Sequence, residues 1–322
     1  MAEIRWGVLG PGGIAERFAE AMTLTSGGQV AAVASRSIER ARAFAERYGA
    51  GAAFGSYEDL LADDGVDAIY VAVPHSGHHR LTIDALTAGK HVLCEKPLAL
   101  DAAQAAEMAS VAASTGRFLM EAMWTRFLPS YRRLVDLMDE GELGRPLLVE
   151  ADFGFRMPVM PEHRLFDRNL GGGAALDLGI YPLQLCSLLL GSPSVVNAVG
   201  HIGSTDVDEL VAIVLGHPGG AIGVAKAAIR ADLSCTARIT CESGSVELPP
   251  FMHDARQLRL RGRRGGERTV DCEYEGDGLR FEIDEVHRCL NEGMAESSVM
   301  PLAESVQLAQ TLDAVLAQVR AA

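Results

Sequence analysis

Residues 5–18 read RWGVLGPGGIAERF, and this stretch decides how the first part of the chain folds. Trp6–Leu9 is a short apolar run that predicts a buried strand, and a glycine loop follows it directly. Gly10, Gly12 and Ala15 fit the pattern G-x-G-x-x-G/A, which permits a tight turn, close approach of a pyrophosphate and helix packing on the strand. The next helix offers free N–H groups to phosphates. The predicted dinucleotide loop consists of Gly10, Gly12, Gly13, Ile14 and Ala15.

Apolar runs and Ala-rich helical segments alternate up to about residue 123. Alternation of this kind predicts βαβ units and a parallel sheet, whose buried strands are continuous apolar runs. The predicted strands are Trp6–Leu9, Val30–Ala34, Ala68–Val73, His91–Cys94 and Phe118–Met120. The predicted helices between them are Ala15–Met22, Ile38–Tyr48, His79–Ala88 and Ala102–Ala113.

The pattern changes after residue 123, where β-like segments joined by tight turns become common. Tight turns join antiparallel strands, and two hairpins are predicted with turns at residues 218–220 and 243–244. A chain of 322 residues is also longer than one core usually holds. We therefore predict an α/β protein with an N-terminal Rossmann dinucleotide-binding domain at 1–123. A C-terminal α+β domain with a mainly antiparallel open sheet is predicted at 124–322.

The net charge and the cysteine content limit which partners and which cellular compartment can be expected. The net charge is −14, which argues against nucleic acid and anionic membranes as partners, because phosphate binding needs basic surface. The six cysteines form no C-x-x-C pair and no zinc-like cluster with histidine, which indicates a reducing compartment. No signal peptide and no apolar run of membrane-span length are visible. We expect a cytoplasmic protein.

The end of the second predicted strand, VASRSIERAR at residues 33–42, favours NADP over NAD. NAD-binding units place an acid here for the ribose hydroxyls, but this chain has Ser35 and Arg36. A guanidinium and a hydroxyl bind a 2′-phosphate that a carboxylate would repel, and Arg40 lies one helical turn further on. Alternatively, both arginines pair with Glu39 or Glu46 on a solvated face, and NAD stays possible.

The stretch HVLCEKPLAL, residues 91–100, ends an apolar run in an acid, a lysine and a proline. Ligands of open parallel sheets bind at the carboxyl ends of strands, so Lys96 is placed to face a nicotinamide. The alternative is a local ion pair between Glu95 and Lys96 at the end of a strand. Because cis peptide bonds are nearly confined to proline, we also predict a cis Lys96–Pro97 bond.

The stretch GGGAALDLGIYPLQL, residues 171–185, supplies a second pair of candidates. Asp177 and Tyr181 are four residues apart and share a face if this segment is helical. A tyrosine can exchange a proton with an alcohol oxygen, and the aspartate can orient substrate hydroxyls. Pro182 predicts a kink at this place. The alternative is a core tyrosine beside a capping aspartate.

Three histidines occur within five residues in VPHSGHHR, residues 73–80. They follow a predicted strand, so Pro74, His75 and His78 are expected to contact the cofactor or to begin the next helix. A metal site would need acidic ligands, and none stands close by in the sequence. We predict no metal.

Four motifs together resemble the glucose–fructose oxidoreductase/inositol dehydrogenase family (Gfo/Idh/MocA): GVLGPGGIA, VPHSGHH, CEKPLAL and GGGAALDLGIYPLQL. The similarity runs over nearly the whole chain, and four motifs in order are more specific than any one. Three stretches, LCEKP, EAMWTRF and LDLGIYPLQ, are most similar to the dimeric dihydrodiol dehydrogenase and NADP-dependent D-xylose dehydrogenase branch.

The resemblance implies an NAD(P)-binding first domain and a C-terminal sheet that forms a homodimer or homotetramer. It implies that Lys96 is catalytic, that Asp177 belongs to the site and that Tyr181 is the acid/base. His75 stands where the family usually has asparagine. Further cofactor or cleft residues implied by the resemblance or by their position are Pro74, His78, Glu95, Pro97, Trp124 and Arg126.

These observations predict an NADP-dependent oxidoreductase that transfers a hydride between the nicotinamide and a secondary alcohol of a sugar, polyol or cyclic diol. In this hypothesis Tyr181 exchanges the hydroxyl proton and Lys96 assists it, with no metal. Two alternatives stay open: an NAD-dependent sugar or inositol dehydrogenase, and a catalytically silent NADP-binding sensor.

Overall fold

The computed structural model describes residues 3–263 and 265–321, and the chain forms two compact units. The first, here called the Rossmann unit, comprises Met1–Phe127 and Glu275–Val306. The second, here called the sheet unit, comprises Leu128–Tyr274 and Gln307–Ala322. The predicted domains differ from these units mainly in one respect: residues 275–306 belong with the N-terminal part of the chain.

The Rossmann unit contains a parallel sheet of six strands, in the order β3-β2-β1-β4-β5-β6. Ligands of such sheets bind where the strand order reverses, here between β1 and β4. The predicted parallel sheet is confirmed, although the short third strand was not predicted. The strands are β1 (Ile4–Leu9), β2 (Gly28–Ala34), β3 (Ala52–Phe54), β4 (Ala68–Val71), β5 (His91–Glu95) and β6 (Leu119–Ala122).

Five helices connect these strands. Three of them begin at a side-chain cap: the side chains of Ser37, Ser56 and Asp101 each accept a hydrogen bond from the backbone N–H three residues later. Such caps satisfy N–H groups that have no partner within the helix and thereby fix where the helix begins. The helices are α1 (Gly13–Met22), α2 (Ile38–Tyr48), α3 (Tyr57–Leu61), α4 (His78–Thr87) and α5 (Ala102–Thr115).

The sheet unit contains an eight-stranded sheet in the order β14-β13-β12-β11-β7-β10-β9-β8. All neighbours are antiparallel except β7 and β10, and both predicted hairpins, β9–β10 and β11–β12, are confirmed. The strands are β7 (Pro146–Gly154), β8 (Val195–Ile202), β9 (Asp208–Gly216), β10 (Ile222–Ala228), β11 (Ala237–Cys241), β12 (Gly244–Leu248), β13 (Gln257–Gly262) and β14 (Glu267–Asp271). Helix α6 (Pro129–Asp139) packs on β13, and α7 (Ile180–Leu190) packs on β7 and β10.

Two helices near the C-terminus complete the chain. Helix α8 (Leu279–Asn291) belongs to the Rossmann unit, where the indole N–H of Trp6 donates to His287 Nε2 at 3.0 Å. Burial lowers the pKa of His287, which keeps this ring neutral and able to accept. Helix α9 (Leu302–Ala321) begins in the Rossmann unit and ends in the sheet unit.

Contrary to the sequence-based expectation, one stretch of the described residues, Arg168–Leu190, is long and apolar enough to cross a membrane by length and composition alone. Within it, 83% of the most apolar window is buried inside the protein. This burial is typical of a core helix, and by itself the stretch is weak evidence for a membrane span.

Candidate active site

The glycine loop after β1 has the shape that a pyrophosphate requires. Gly10 has a φ of +92°, and a Cβ at this position would lie 2.9 Å from Val73 Cγ1. A Cβ at Gly12 or Gly13 would meet no atom within 4 Å, so open space lies beside the loop where α1 begins. The first N–H groups of a helix have no partner within it and favour an anion. The loop therefore fits a dinucleotide phosphate.

The Rossmann unit brings most of the predicted cofactor residues to one edge of its sheet. Gly10 follows β1, Ser35 follows β2 and Lys96 follows β5 directly. His75 and Trp124 begin short 3₁₀ helices just after β4 and β6. Because all six strands are parallel, these positions lie together at the carboxyl edge.

The predicted site for a 2′-phosphate lies at the end of β2. Ser35 is buried and its hydroxyl accepts from Ser37 N at 3.2 Å, whereas Arg36 and Arg40 are exposed. Arg40 Nη2 donates to Pro11 O at 3.1 Å, which draws its guanidinium to the glycine loop. Among residues 3–263 and 265–321, neither arginine forms an ion pair with a carboxylate. These surroundings favour the hypothesis of an anion site at the two arginines over the alternative in which they pair with Glu39.

The turn after β5 is built around buried groups, and its Lys96–Pro97 bond is cis, as predicted. Glu95 is buried, and its two carboxylate oxygens accept from Tyr70 Oη at 2.5 Å and from Lys96 N at 3.2 Å. Burial raises the pKa of Glu95, and the neighbouring Lys96 charge opposes that rise. The carboxylate of Glu95 therefore stabilises the backbone of the turn.

His78 is fully buried and ties helix α4 to the same turn. Its Nδ1 lies 2.8 Å from Pro97 O, and its Nε2 lies 2.9 Å from Val73 O. Burial lowers its pKa to about 3, so the ring is neutral and donates to one of these two carbonyls. Both ring nitrogens face backbone, so the geometry places His78 on the lysine turn; its predicted cofactor contact stays a prediction.

Trp124 and Arg126 are buried in the Rossmann unit. The Arg126 guanidinium makes two hydrogen bonds to the carboxylate of Glu304, at 2.7 and 2.5 Å. The Arg17 guanidinium lies over the Trp124 ring, 5.4 Å from its centroid. These contacts give both residues a packing role, and their contact with the cofactor stays a prediction.

In the sheet unit, a π-helical turn at Ala175–Gly179 leads directly into α7 and carries Asp177, with Tyr181 one turn on. Pro182 has no N–H, so the regular i to i−4 bond is missing just after this wider turn, and the kink itself stays a prediction. Asp208 Oδ2 accepts from Ala175 N at 2.6 Å, which holds the start of the turn.

Arg164 is a partner of Asp177 that the sequence did not reveal. Its guanidinium donates to both carboxylate oxygens, Nη1 to Oδ1 at 2.9 Å and Nη2 to Oδ2 at 3.3 Å. Asp177 is buried, whereas the Arg164 side chain is 46% exposed. Arg164 lies 13 residues earlier, at the start of a three-residue 3₁₀ helix that is too short for a periodic pattern to signal the pair.

The ring of Tyr181 lies among aromatic rings in the sheet unit. Phe153 meets it edge to face at 5.4 Å between centroids, and His253 lies 5.6 Å away. Phe153 and His253 stack on each other at 4.2 Å. His253 is 72 residues beyond Tyr181 in sequence and belongs to no recognisable motif, so only the folded sheet shows this cluster.

Metal ligands were not expected. In the described part of the chain, no group of three or more His, Cys, Asp and Glu side chains is placed to hold a metal ion. The geometry supplies a glycine loop that fits a dinucleotide phosphate, two exposed arginines near the end of β2 and a lysine at the strand edge. This combination defines the class of NAD(P)-dependent oxidoreductases.

Comparison with known proteins agrees with this class. Residues 4–123 match the oxidoreductase family with an NAD-binding Rossmann fold, and residues 131–247 match the GFO/IDH/MocA C-terminal domain. The chain therefore belongs to the Gfo/Idh/MocA family of oxidoreductases, which confirms the resemblance seen in the motifs.

Three relatives illustrate the match. The trans-1,2-dihydrobenzene-1,2-diol dehydrogenase of Mus musculus is 37% identical over 96% of this chain and 95% of its own length. A 3-ketoreductase from Actinomadura kijaniata, crystallised with NADP and TDP-benzene, is 28% identical with a TM-score of 0.88, covering 98% of each chain. The aldose-aldose oxidoreductase of Caulobacter crescentus, complexed with glycerol, is 25% identical with a TM-score of 0.90, covering 99% of this chain and 98% of its own.

Proposed function

We propose that this protein is an NADP-dependent dehydrogenase or reductase acting on a secondary alcohol of a cyclic diol, sugar or polyol. The observation that carries the proposal is the placement of Lys96 at the carboxyl end of β5, on the same sheet edge as the glycine loop. The names of its relatives, a trans-1,2-dihydrobenzene-1,2-diol dehydrogenase and a 3-ketoreductase crystallised with NADP, support the reaction class.

NADP, when bound, accepts the hydride from the carbinol carbon or returns it to a carbonyl. In the proposed reaction Tyr181 takes the hydroxyl proton during oxidation and gives it back during reduction. The ammonium of Lys96 stabilises the phenolate and the substrate oxygen by its positive charge. Asp177, held by Arg164, accepts hydrogen bonds from substrate hydroxyls and thereby orients the ring.

A cyclic diol is the substrate class that the surroundings of Tyr181 favour. Phe153 and His253 place two aromatic rings beside the proposed acid/base, and aromatic side chains offer a large apolar contact area to a cyclic substrate. The Arg164–Asp177 pair adds polar groups for hydroxyls, which keeps sugars and inositols within the set to be tested.

A substrate panel tests the proposal. Purified protein is assayed with trans-dihydrodiols, cyclohexane diols, aldoses and inositols, each with NADP and NAD, by nicotinamide absorbance. We expect the highest kcat/KM for a cyclic diol with NADP. Turnover of inositols or aldoses with NAD alone would favour the sugar dehydrogenase alternative. NADPH binding without turnover of any compound would favour the silent sensor.

Replacing Arg36 by Ala is expected to weaken NADPH binding by about 10- to 100-fold and to leave NADH binding nearly unchanged. The reason is that Arg36 is exposed at the end of β2 without a carboxylate partner, and charge-assisted bonds to phosphate are about twice as strong as neutral ones. Fluorescence titration with both cofactors measures the two affinities. Arg42→Ala, in helix α2 that follows Arg36, is the matched control. Equal losses for NADH and NADPH would exclude a 2′-phosphate role for Arg36.

We further propose that the outer face of the large sheet forms a homodimer or homotetramer. The strand register places its exposed apolar side chains on one face, because Val195 and Ile222 both pair with Gly216 and Val199 pairs with Ala212. Such a patch is typical of an interaction site. Its members and their exposed fractions are Val195 51%, Val199 68%, Leu210 42%, Val214 48% and Ile222 44%.

Val214→Arg is the expected disruptor of this assembly, since a guanidinium in the middle of the apolar face cannot be buried without a partner. Light scattering should give a molar mass of two or four chains for the native protein and of one chain for the variant. Ser114→Arg, at an exposed position of helix α5, is the control for an added charge away from this face. A native protein that is monomeric at high concentration would refute the proposal.

The proposed compartment is the cytoplasm. All six cysteines are free, and five of them are buried. Unpaired thiols suit a reducing environment. This supports the compartment only by composition, and localisation of a tagged full-length chain in cells tests it.

A further inference from the structure

The turn that carries Lys96 is held by a carboxylate to which the proposed reaction assigns no role, that of Glu121 at the start of the stretch EAMWTRF. Glu121, on β6, accepts a hydrogen bond at Oε1 from the backbone N–H of Leu98 at 3.0 Å. Because Pro97 has no N–H, this amide is the first backbone donor after the lysine. Together with Tyr70 and His78, Glu121 fixes the turn from a third neighbouring element.

Burying the carboxylate of Glu121 to hold the Leu98 amide is energetically unfavourable. Its side chain is 1% exposed, and its second oxygen, Oε2, has no hydrogen-bond partner of normal geometry in the described part of the chain. The hydroxyl of Ser305 lies near enough to lower the pKa of Glu121, yet Ser305 Oγ also lacks such a partner. A buried carboxylate with one unbonded oxygen destabilises a fold, and a neutral acceptor would satisfy the Leu98 amide at lower cost.

The charged and polar groups that face Glu121 come from every element around it. Leu98 N belongs to the lysine turn, Arg126 follows β6, and Glu304 and Ser305 belong to α9. Burial is the main cause that raises the pKa of Glu121, to about 7, and the charge of Glu304 adds to it. The Leu98 hydrogen bond and the Arg126 charge act in the opposite direction.

We propose that Glu121 is a positioning residue for Lys96: by holding the Leu98 amide, its carboxylate fixes the turn that aims the lysine. This inference rests on the proposed function, in which Lys96 is catalytic. A hydrogen bond to an ionised acceptor is about twice as strong as one to a neutral acceptor. Ionisation of Glu121 therefore tightens the turn, and protonation loosens it.

Two substitutions separate positioning from simple support of the fold. Glu121→Met has a similar length but no acceptor, and we expect kcat to fall by about 10- to 100-fold, because small misplacements of a catalytic group are costly. Glu121→Gln keeps an oxygen for Leu98, and we expect it to keep kcat within about threefold. NADPH affinity should be unchanged in both. A folded Met variant with native kcat, or a Gln variant as impaired as Met, would overturn the inference.

The pH dependence provides a test that does not rely on the Met variant being folded. We expect kcat of the native protein to fall by up to about threefold as the pH decreases through about 7, where Glu121 takes up a proton and becomes a neutral acceptor like the Gln side chain. This pH-dependent fall should be absent in Glu121→Gln. Ser305→Ala removes the hydroxyl that lowers the pKa of Glu121, so it should move the fall to higher pH without lowering the maximal kcat. A fall that persists unchanged in Glu121→Gln counts against the inference.

The protonation of Glu121 also makes the free energy of unfolding depend on pH. The native pKa of Glu121 lies above its ordinary value of 4.5, so the native state holds the proton more tightly than the unfolded state. This contribution is fully present below pH 4.5 and is lost as the pH rises through about 7. Thermal melting at several pH values should show a smaller decrease with rising pH in Glu121→Gln than in the native protein.

Lys96→Met, assayed in parallel, distinguishes failure of this inference from failure of the proposed function. If Lys96→Met keeps its turnover, the lysine is not catalytic and the proposed function falls. If Lys96→Met is inactive while folded Glu121→Met turns over at the native rate, only the positioning role of Glu121 falls.

Discussion

Lys96→Met is expected to lower kcat by about 10³-fold, because it removes the positive charge that stabilises the developing oxyanion. Met matches the length and apolar stem of lysine, so the packing of the half-buried side chain after β5 should be kept. NADPH binding should change little, since the glycine loop and the basic site at β2 stay intact. Steady-state kinetics and a fluorescence titration with NADPH measure the two effects separately.

Lys226→Met is the matched control for this substitution. Lys226 lies on β10 with its side chain 47% exposed and pairs with Asp152 at 3.1 Å, so its loss should leave kcat near the native value. Native turnover of Lys96→Met would show that the lysine only supports the strand end. That outcome would favour the alternative of a structural ion pair with Glu95.

Tyr181→Phe is expected to lower kcat by about 10²- to 10⁴-fold, the range typical of a lost general acid or base. The phenyl ring keeps its contacts with Phe153 and His253, so the melting temperature should stay close to that of the native protein. The measurement is kcat in both directions, together with the melting temperature and NADPH affinity.

Tyr131→Phe is the control, and we expect the opposite pair of effects on kcat and stability. Tyr131 is buried in the same unit and donates to Met252 O at 3.2 Å, so losing its hydroxyl should lower stability while kcat is kept. If Tyr181→Phe keeps its turnover and Lys96→Met does not, then the lysine is the immediate proton-transfer group. The proposed division of roles would then be reversed.

Much of the fold could be predicted because its signals are local. Helix α2 begins and ends where the sequence predicts, since Ser37 caps one end and Gly49 adopts the left-handed conformation at the other. The short strand β3 was missed because three half-buried residues carry no periodicity. The placement of α8 was also missed, because a helical pattern shows which face is apolar but not which sheet covers it.

The residues of the candidate site also differ in whether local sequence patterns could predict them. Gly10, Lys96 and Tyr181 could be predicted as site residues because they stand in motifs whose spacing reflects a strand end or a helix turn. Arg164 and Glu121 were not found, because their partners Asp177 and Leu98 lie at sequence distances that follow no period. His78 was found, but its contacts with two backbone carbonyls, which connect it to the lysine turn, were not.

The sequence by itself determined the parallel sheet, the dinucleotide loop and the lysine at the strand edge, because each depends on residues close together along the chain. The tertiary structure alone decided which buried groups hold that lysine and which rings surround Tyr181. Those contacts form only when β4, β6 and α4 pack beside the turn, and when β7 and the segment around His253 meet α7. Long-range contacts are selected by the packing of whole elements, and no local pattern records them.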